Sequence, residues 1–190
     1  MSIVLGQKAP VFNVEDIFGR TINLESYGDR KVLVAFFRNA ACPFCNLRVF
    51  QLLKESEKLK ALGLEMIFFF ESKKQVLLRS SFHREVSPIP LISDSEGIWY
   101  GKYGVKESMM GVVKTFLSPE AMAVKSEAKR MGVPAGGDLD GARLRLMPVE
   151  FLLNPGLSIE FIHEAGRLDD RISISRLYQF AKGEVLTAAV

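Results

Sequence analysis

The chain has 190 residues, 48% of them hydrophobic, and a formal net charge of +3. That suffices for a sizeable core, in one domain or one domain with an insertion. The mild charge and the lack of any Lys/Arg-rich run exclude a case for nucleic acid as the main partner, and no segment approaches the ~20 apolar residues of a membrane span.

Taken in chain order, the elements alternate strand and helix. The opening, Met1 to Gly6, has neither a charged n-region nor a long apolar h-region, so no signal peptide is expected and the reading is a soluble cytoplasmic protein. Residues 9–24 read as a β-hairpin: Val11–Val14 and Thr21–Leu24 flank a turn around Phe18-Gly19-Arg20. Lys31–Arg38 is too apolar to be half-exposed and reads as a central strand buried on both faces.

The next four residues carry the chemistry. Cys42-Pro43-Phe44-Cys45 holds both cysteines of the chain and leads into a helix over Asn46–Leu62, stopped by Gly63. A strand that delivers Cys-x-x-Cys to a helix start makes a redox pair. The helix N-terminus offers unpaired N–H groups and partial positive charge, which favour a thiolate. The thiolate is the nucleophile in disulfide exchange and in peroxide reduction. At this spacing the second sulfur can close a disulfide within one helical turn. Two buried structural cysteines are the plain alternative. A zinc site needs two further ligands, and only His83 and His163 are offered, without finger-like spacing. No metal and no cofactor is expected.

Beyond the motif, Leu64–Phe70 reads as a second buried strand and Lys73–Arg84 as a helix. Pro90–Ser93 reads as a third strand and Ser95–Tyr103 as a short helix. Residues 104–146 form an irregular insertion. Within it Ser118-Pro119 starts a helix that runs to about Met131, and Pro134–Asp138 is loop. Its methionines, Met109, Met110, Met122 and Met131, fill core by default; the functional reading is a soft docking or covering surface. Two strands, Phe151–Leu153 and Ile159–Ile162, flank the turn Asn154-Pro155-Gly156, and Ile172–Ala181 is a final helix. Strand–helix–strand units imply parallel pairing and the tight turn implies an antiparallel pair. The fold class is α/β: a mixed central sheet with helices on both faces. The sulfurs would sit at the C-terminal end of a central strand, where open α/β sheets bind ligands.

This pattern resembles the thioredoxin fold, and within it the peroxiredoxin-like AhpC/TSA (redoxin) family. Gly6–Phe12 is similar to the family's opening segment, and Phe36–Leu47 to the strand–Arg–Cys-Pro-aromatic-Cys-Asn-Leu signature of one subgroup. Pro90–Asp94, Pro148–Gly156 and Gly166–Arg171 resemble its third strand, its penultimate strand and turn, and the subgroup's ending. The resemblance implies a thioredoxin-like three-layer sandwich over residues 1–190 as a single domain. It implies a thiol-dependent antioxidant enzyme that cycles Cys42 and Cys45 between dithiol and disulfide. The substrate would be a peroxide or a protein disulfide, and an external thiol system of thioredoxin or glutathione type would restore the dithiol. A homodimer is compatible with it. A non-catalytic redox sensor and a docking module are the readings from other function classes.

Two departures bear on the activity. Peroxiredoxins attack peroxide with the cysteine of Thr-x-x-Cys, which the alignment places on Cys45; thioredoxin-type proteins attack with the first cysteine, here Cys42. Peroxiredoxins also carry an arginine before the strand equivalent to Phe151, where this chain has Pro148. In thioredoxins that proline is cis and lies against the disulfide. The resemblance therefore makes Pro43, Phe44, Met147 and Pro148 scaffold, with a cis Met147–Pro148 bond. Arg38, Arg143 and Arg145 offer charge, but none matches the peroxiredoxin arginine, so peroxidase activity is expected to be weak compared with dithiol–disulfide exchange unless the Arg38 side chain reaches Cys45. On position alone, Cys42 is expected to be the more exposed and more acidic sulfur, and Cys45 the resolving one. Glu150 is read as a proton acceptor or, by strand alternation, a solvent-facing residue; Arg48 as a solvated helix residue; His83 as exposed or partly packed.

Overall fold

The computed structural model describes residues 3–137, 139 and 141–186; the end of the loop read at Pro134–Asp138 lies outside them. A five-stranded sheet forms the centre, made of β3 (Lys31–Phe36), β4 (Leu64–Phe70), β5 (Leu91–Ser93), β6 (Val149–Leu153) and β7 (Ile159–Glu164), in the order β5-β4-β3-β6-β7. β3 pairs parallel with β4 and antiparallel with β6. The hairpin of β1 (Asn13–Glu15) and β2 (Thr21–Asn23) forms a separate two-stranded sheet, followed by a single 3-10 turn over Leu24–Tyr27.

Alternation along β3 sends its side chains to two cores. Leu33 and Ala35 join Phe68, Phe70 and Leu152 under α1 (Pro43–Ala61) and α7 (Ile174–Lys182), which add Val49, Leu52, Leu177 and Phe180. Val32, Val34 and Phe36 face the other way, onto Phe12, Leu24, Phe69 and Phe151 and onto Tyr100 and Tyr103 from α4 (Ile98–Lys102) and its end. Phe36 stacks on Phe69 with ring centroids 4.6 Å apart. This is the expected mixed sheet with cover on both faces. β3 lies in the middle of it and ends where the cysteines begin.

Two local outcomes among the helices differ from the sequence reading. The helix expected over Lys73–Arg84 breaks into α2 (Lys74–Arg79) and α3 (Ser81–Glu85), because Ser80 adopts extended backbone and its hydroxyl caps α3 by accepting from the His83 N–H. The insertion holds a helix not foreseen, α5 (Met109–Leu117), ahead of the expected α6 (Pro119–Arg130). Ser118 terminates the first and caps the second. Leu47 of α1, Ala128 of α6 and Val133 pack together and fix the insertion to α1.

The Met147–Pro148 bond is trans, as are all peptide bonds among the described residues. The chain is tied on both sides of that bond, Met147 N–H to the Lys106 carbonyl (2.9 Å) and Ala165 N–H to the Pro148 carbonyl (3.1 Å). It enters β6 straight, in the ordinary isomer. Among the described residues no helix is long and apolar enough to cross a membrane.

Candidate active site

The site forms where β3 runs out. Phe37 N–H still bonds the Phe69 carbonyl (2.8 Å), and then the chain leaves the sheet. The loop 38–42 is held from several sides. Ala40 N–H donates to Ser72 Oγ (2.8 Å) and Ala41 N–H to Asn39 Oδ1 (3.1 Å). Asn46 Nδ2 donates to the Ala40 carbonyl and to the Pro134 carbonyl, both at 2.8 Å. Gly136 N–H donates to the Ala41 carbonyl (2.9 Å), so the 134–136 segment of the insertion closes over the loop.

Cys42 is the N-cap of α1. Its backbone is extended, and Sγ accepts the Cys45 N–H at 3.4 Å, in the role an N-cap oxygen usually has. Pro43 occupies the first turn, where its missing N–H costs nothing. Phe44 and Met147 are buried in the same apolar cluster as both cysteines. Cys42 is 4% exposed and Cys45 0%, so the order is the expected one but the difference is small: both sulfurs are buried, in a cluster that also holds Met147. Both are free thiols.

Two guanidiniums meet the sulfurs. Arg38 Nη1 is 4.0 Å from Cys42 Sγ, while its Nη2 donates to the Leu144 carbonyl (2.5 Å). Arg171 Nη2 is 3.9 Å from Cys45 Sγ, and its Nη1 donates to the Asp170 carbonyl (2.7 Å). Burial pushes the Cys42 thiol up. The hydrogen bond from the Cys45 side chain, the Arg38 charge, the Cys45 N–H and the Arg171 charge outweigh it and bring the pKa down to about 6. Burial holds Cys45 well above the ordinary thiol range, and sharing a hydrogen bond with a more acidic neighbour pushes the same way. A thiolate at Cys42 beside a protonated Cys45 is the arrangement this geometry favours.

The other residues singled out in the sequence have surroundings of their own. Arg143 pairs with Glu71 (2.5 Å), away from the sulfurs. Pro148 lines a surface cavity of about 690 Å³ with Val105, Ile162 and Met147. Arg48, read as solvated, and Glu150, read as a proton acceptor or solvent-facing, are buried in a two-pronged ion pair: Nε to Oε1 at 2.8 Å and Nη2 to Oε2 at 3.0 Å. Glu150 does turn toward the cysteine side of the sheet, but it meets an arginine there. His83 is fully buried, not exposed, between Ser80 Oγ (2.8 Å) and Asn46 Oδ1 (3.1 Å). Burial lowers its pKa to about 4, so it is a neutral hydrogen-bonding strut. His163 bonds Asp170 Oδ1 at 2.9 Å. Arg171 is the site residue that sequence reasoning passed over. It stands 126 positions from Cys45, and only its place in the Gly166–Arg171 ending marked it. Among the described residues no group of three or more His, Cys, Asp or Glu is placed to hold a metal ion.

The model of the AhpC/TSA family matches residues 5–126, from before β1 into α6. Peroxiredoxin Bcp of Escherichia coli is 29% identical over 108 residues, which span 56% of this chain and 69% of that protein. Among solved structures, one described as a thiol:disulfide interchange protein DsbE of Chlorobium tepidum superposes with a TM-score of 0.65 at 18% identity, covering 96% of this chain and 100% of the other. Peroxidoxin BcpB of Mycobacterium tuberculosis superposes with a TM-score of 0.61 at 13% identity, over 94% of each chain. At such identities the two structures speak for the shared thioredoxin-like fold. The family match covers more than half of the sequence and includes both cysteines: the chain belongs to the AhpC/TSA family and is a thiol-dependent oxidoreductase.

Proposed function

We propose that the protein reduces a small hydroperoxide, with Cys42 as the attacking thiolate and Cys45 as the resolving thiol. The observation that carries this reading is the Cys42 sulfur, buried at the head of α1 and facing both the Cys45 N–H and the Arg38 guanidinium. A buried sulfur suits a small oxidant better than a folded protein disulfide. The Cys42 thiolate attacks one peroxide oxygen; the O–O bond breaks, an alkoxide or hydroxide leaves and takes up a proton, and Cys42 becomes a sulfenic acid. Cys45 then attacks that sulfur. The S–S bond forms, the S–O bond breaks, and the proton lost by Cys45 leaves with the oxygen as water. An external thiol reductant, one dithiol of thioredoxin type or two monothiols of glutathione type, reduces the disulfide by exchange.

The missing arginine ahead of β6 argues for slow peroxide chemistry only if nothing replaces it. Arg38 and Arg171 bring charge to the sulfurs from two other segments. Rapid mixing of the reduced protein with hydrogen peroxide and, separately, with an oxidised protein dithiol tests the reading. A second-order peroxide rate far above that of an ordinary free thiol is expected. A peroxide rate like that of free cysteine, alongside fast exchange with the protein disulfide, would replace it with thiol–disulfide interchange.

A further inference from the structure

We propose that Arg171 is a catalytic residue for the second half of the cycle, activating Cys45 for disulfide closure, and that Glu150 is the positioning residue that holds it there. The inference rests on the sulfur roles given above.

The segment that presents Arg171 is built to do so. Gly166–Ile172 leads from β7 to α7 and is pinned at three places. Asp170 accepts from the Gly166 N–H at 2.8 Å and meets His163 at 2.9 Å. Leu168 N–H donates to Thr115 Oγ1 of α5 at 2.8 Å. Ile172 N–H donates to Glu150 Oε2 at 2.9 Å. The last bond is to the residue next to Arg171, and Glu150 is itself clamped by Arg48 of α1, the helix that carries Cys45. One buried carboxylate thus fixes the arginine's backbone relative to the sulfur it faces. Arg171 Nη2 reaches Cys45 Sγ, and its Nε has no acceptor among the described residues although it is buried. Among the described residues two carbonyls and no carboxylate accept from the guanidiniums of Arg38 and Arg171, so neither charge is neutralised there by an acid it bonds.

The two arginines divide between the two sulfurs. Arg38 faces Cys42, whose thiolate is needed first. Cys45 must lose its proton only after Cys42 has become a sulfenic acid. At that point the Cys42 negative charge that opposed ionisation of Cys45 is gone, while the Arg171 charge remains. The Cys45 thiolate can then form, attack Cys42 Sγ and expel the oxygen. The order of the two ionisations is built into which sulfur carries charge at each stage.

The test is a quenched-flow series on the reduced full chain with hydrogen peroxide. A 1,3-dione trap counts sulfenic acid and mass analysis counts disulfide. In Arg171→Ala, closure should slow by about tenfold or more beyond any loss in sulfenic-acid formation. Trapped sulfenic acid should accumulate in proportion, and Arg171→Lys should recover part of the closure rate. Closure unchanged in Arg171→Ala, or equally slow in the lysine variant, would overturn the role.

The positioning claim has its own pair. Arg48→Met with Glu150→Gln removes both buried charges and keeps an acceptor for the Ile172 N–H; Arg48→Met with Glu150→Leu removes the acceptor too. The first should close faster than the second, and equal closure would overturn the claim for Glu150. If no variant, nor the native chain, forms sulfenic acid at all, then the peroxide reading fails and this one with it; sulfenic acid that forms and closes regardless of Arg171 defeats this inference alone.

Discussion

The N–H of Cys45 points at the sulfur of Cys42, 3.4 Å away, so the second cysteine of the motif helps hold the first as a thiolate. With the Cys42 pKa brought down to about 6, most of that sulfur is ionised at neutral pH. Alkylation of the reduced protein by a small haloacetamide, followed by peptide mapping, should label Cys42 first. The rate should rise through about pH 6 and flatten near pH 7, whereas an ordinary thiol, with a pKa of about 8.5, keeps gaining to about pH 9.5. Faster labelling of Cys45 would move the nucleophile to the position that the peroxiredoxin alignment names.

Arg38 is the charge nearest Cys42, and its other arm is held by the Leu144 carbonyl. Arg38→Ala should move the alkylation profile to higher pH and slow peroxide attack by roughly tenfold to a hundredfold. Arg38→Lys should lose less, because it keeps the charge but not the forked geometry. An unchanged profile in Arg38→Ala would leave the thiolate to the two hydrogen bonds from Cys45 and to the Arg171 charge.

Much of this was legible in the sequence. β3 and β4 read as buried strands because Val32–Phe37 and Ile67–Phe70 are apolar on both faces. The cysteine pair declared its chemistry by spacing and by the strand before it. What could not be read was which charged side chains turn inward. Arg48 and Glu150 each look like solvent residues alone, and only their pairing across α1 and β6 makes burial tolerable. The chain around Pro148 and the loop before Cys42 are tied by hydrogen bonds with residues 106, 165 and 136, all distant in sequence. Arg171 was hidden for the same reason.

The Arg48–Glu150 pair should be costly to break and cheap to replace. Glu150→Ala leaves a buried guanidinium uncompensated and should lower stability by about 3–5 kcal/mol in chemical denaturation. Arg48→Met combined with Glu150→Leu removes both charges and should cost far less, mainly the acceptor for Ile172. If the double variant is as unstable as the single one, packing rather than charge governs the site.

His83 makes stability depend on pH. Its pKa is lowered to about 4 in the folded chain, against 6.5 when unperturbed. Between those values the unfolded chain binds more protons than the folded one, so stability falls as pH drops. The neutral strut is fully effective above about pH 6.5, and its loss at about pH 4 is on the order of 3 kcal/mol. Denaturation midpoints of the native protein and His83→Gln should therefore converge as pH falls from 7 to 4. A constant gap between them would mean that the imidazole is not the titrating group.

The sulfur assignment is tested most directly by intact-mass analysis of the two single-cysteine variants after one equivalent of hydrogen peroxide. Cys45→Ser should gain one oxygen quickly, on Cys42, and keep it as a trappable sulfenic acid because nothing resolves it. Cys42→Ser should react no faster than an ordinary buried thiol, and the native chain should instead lose two protons as its disulfide closes. Rapid sulfenic-acid formation on Cys45 in the Cys42→Ser variant, with an inert Cys45→Ser variant, would contradict the account and make Cys45 the attacking residue.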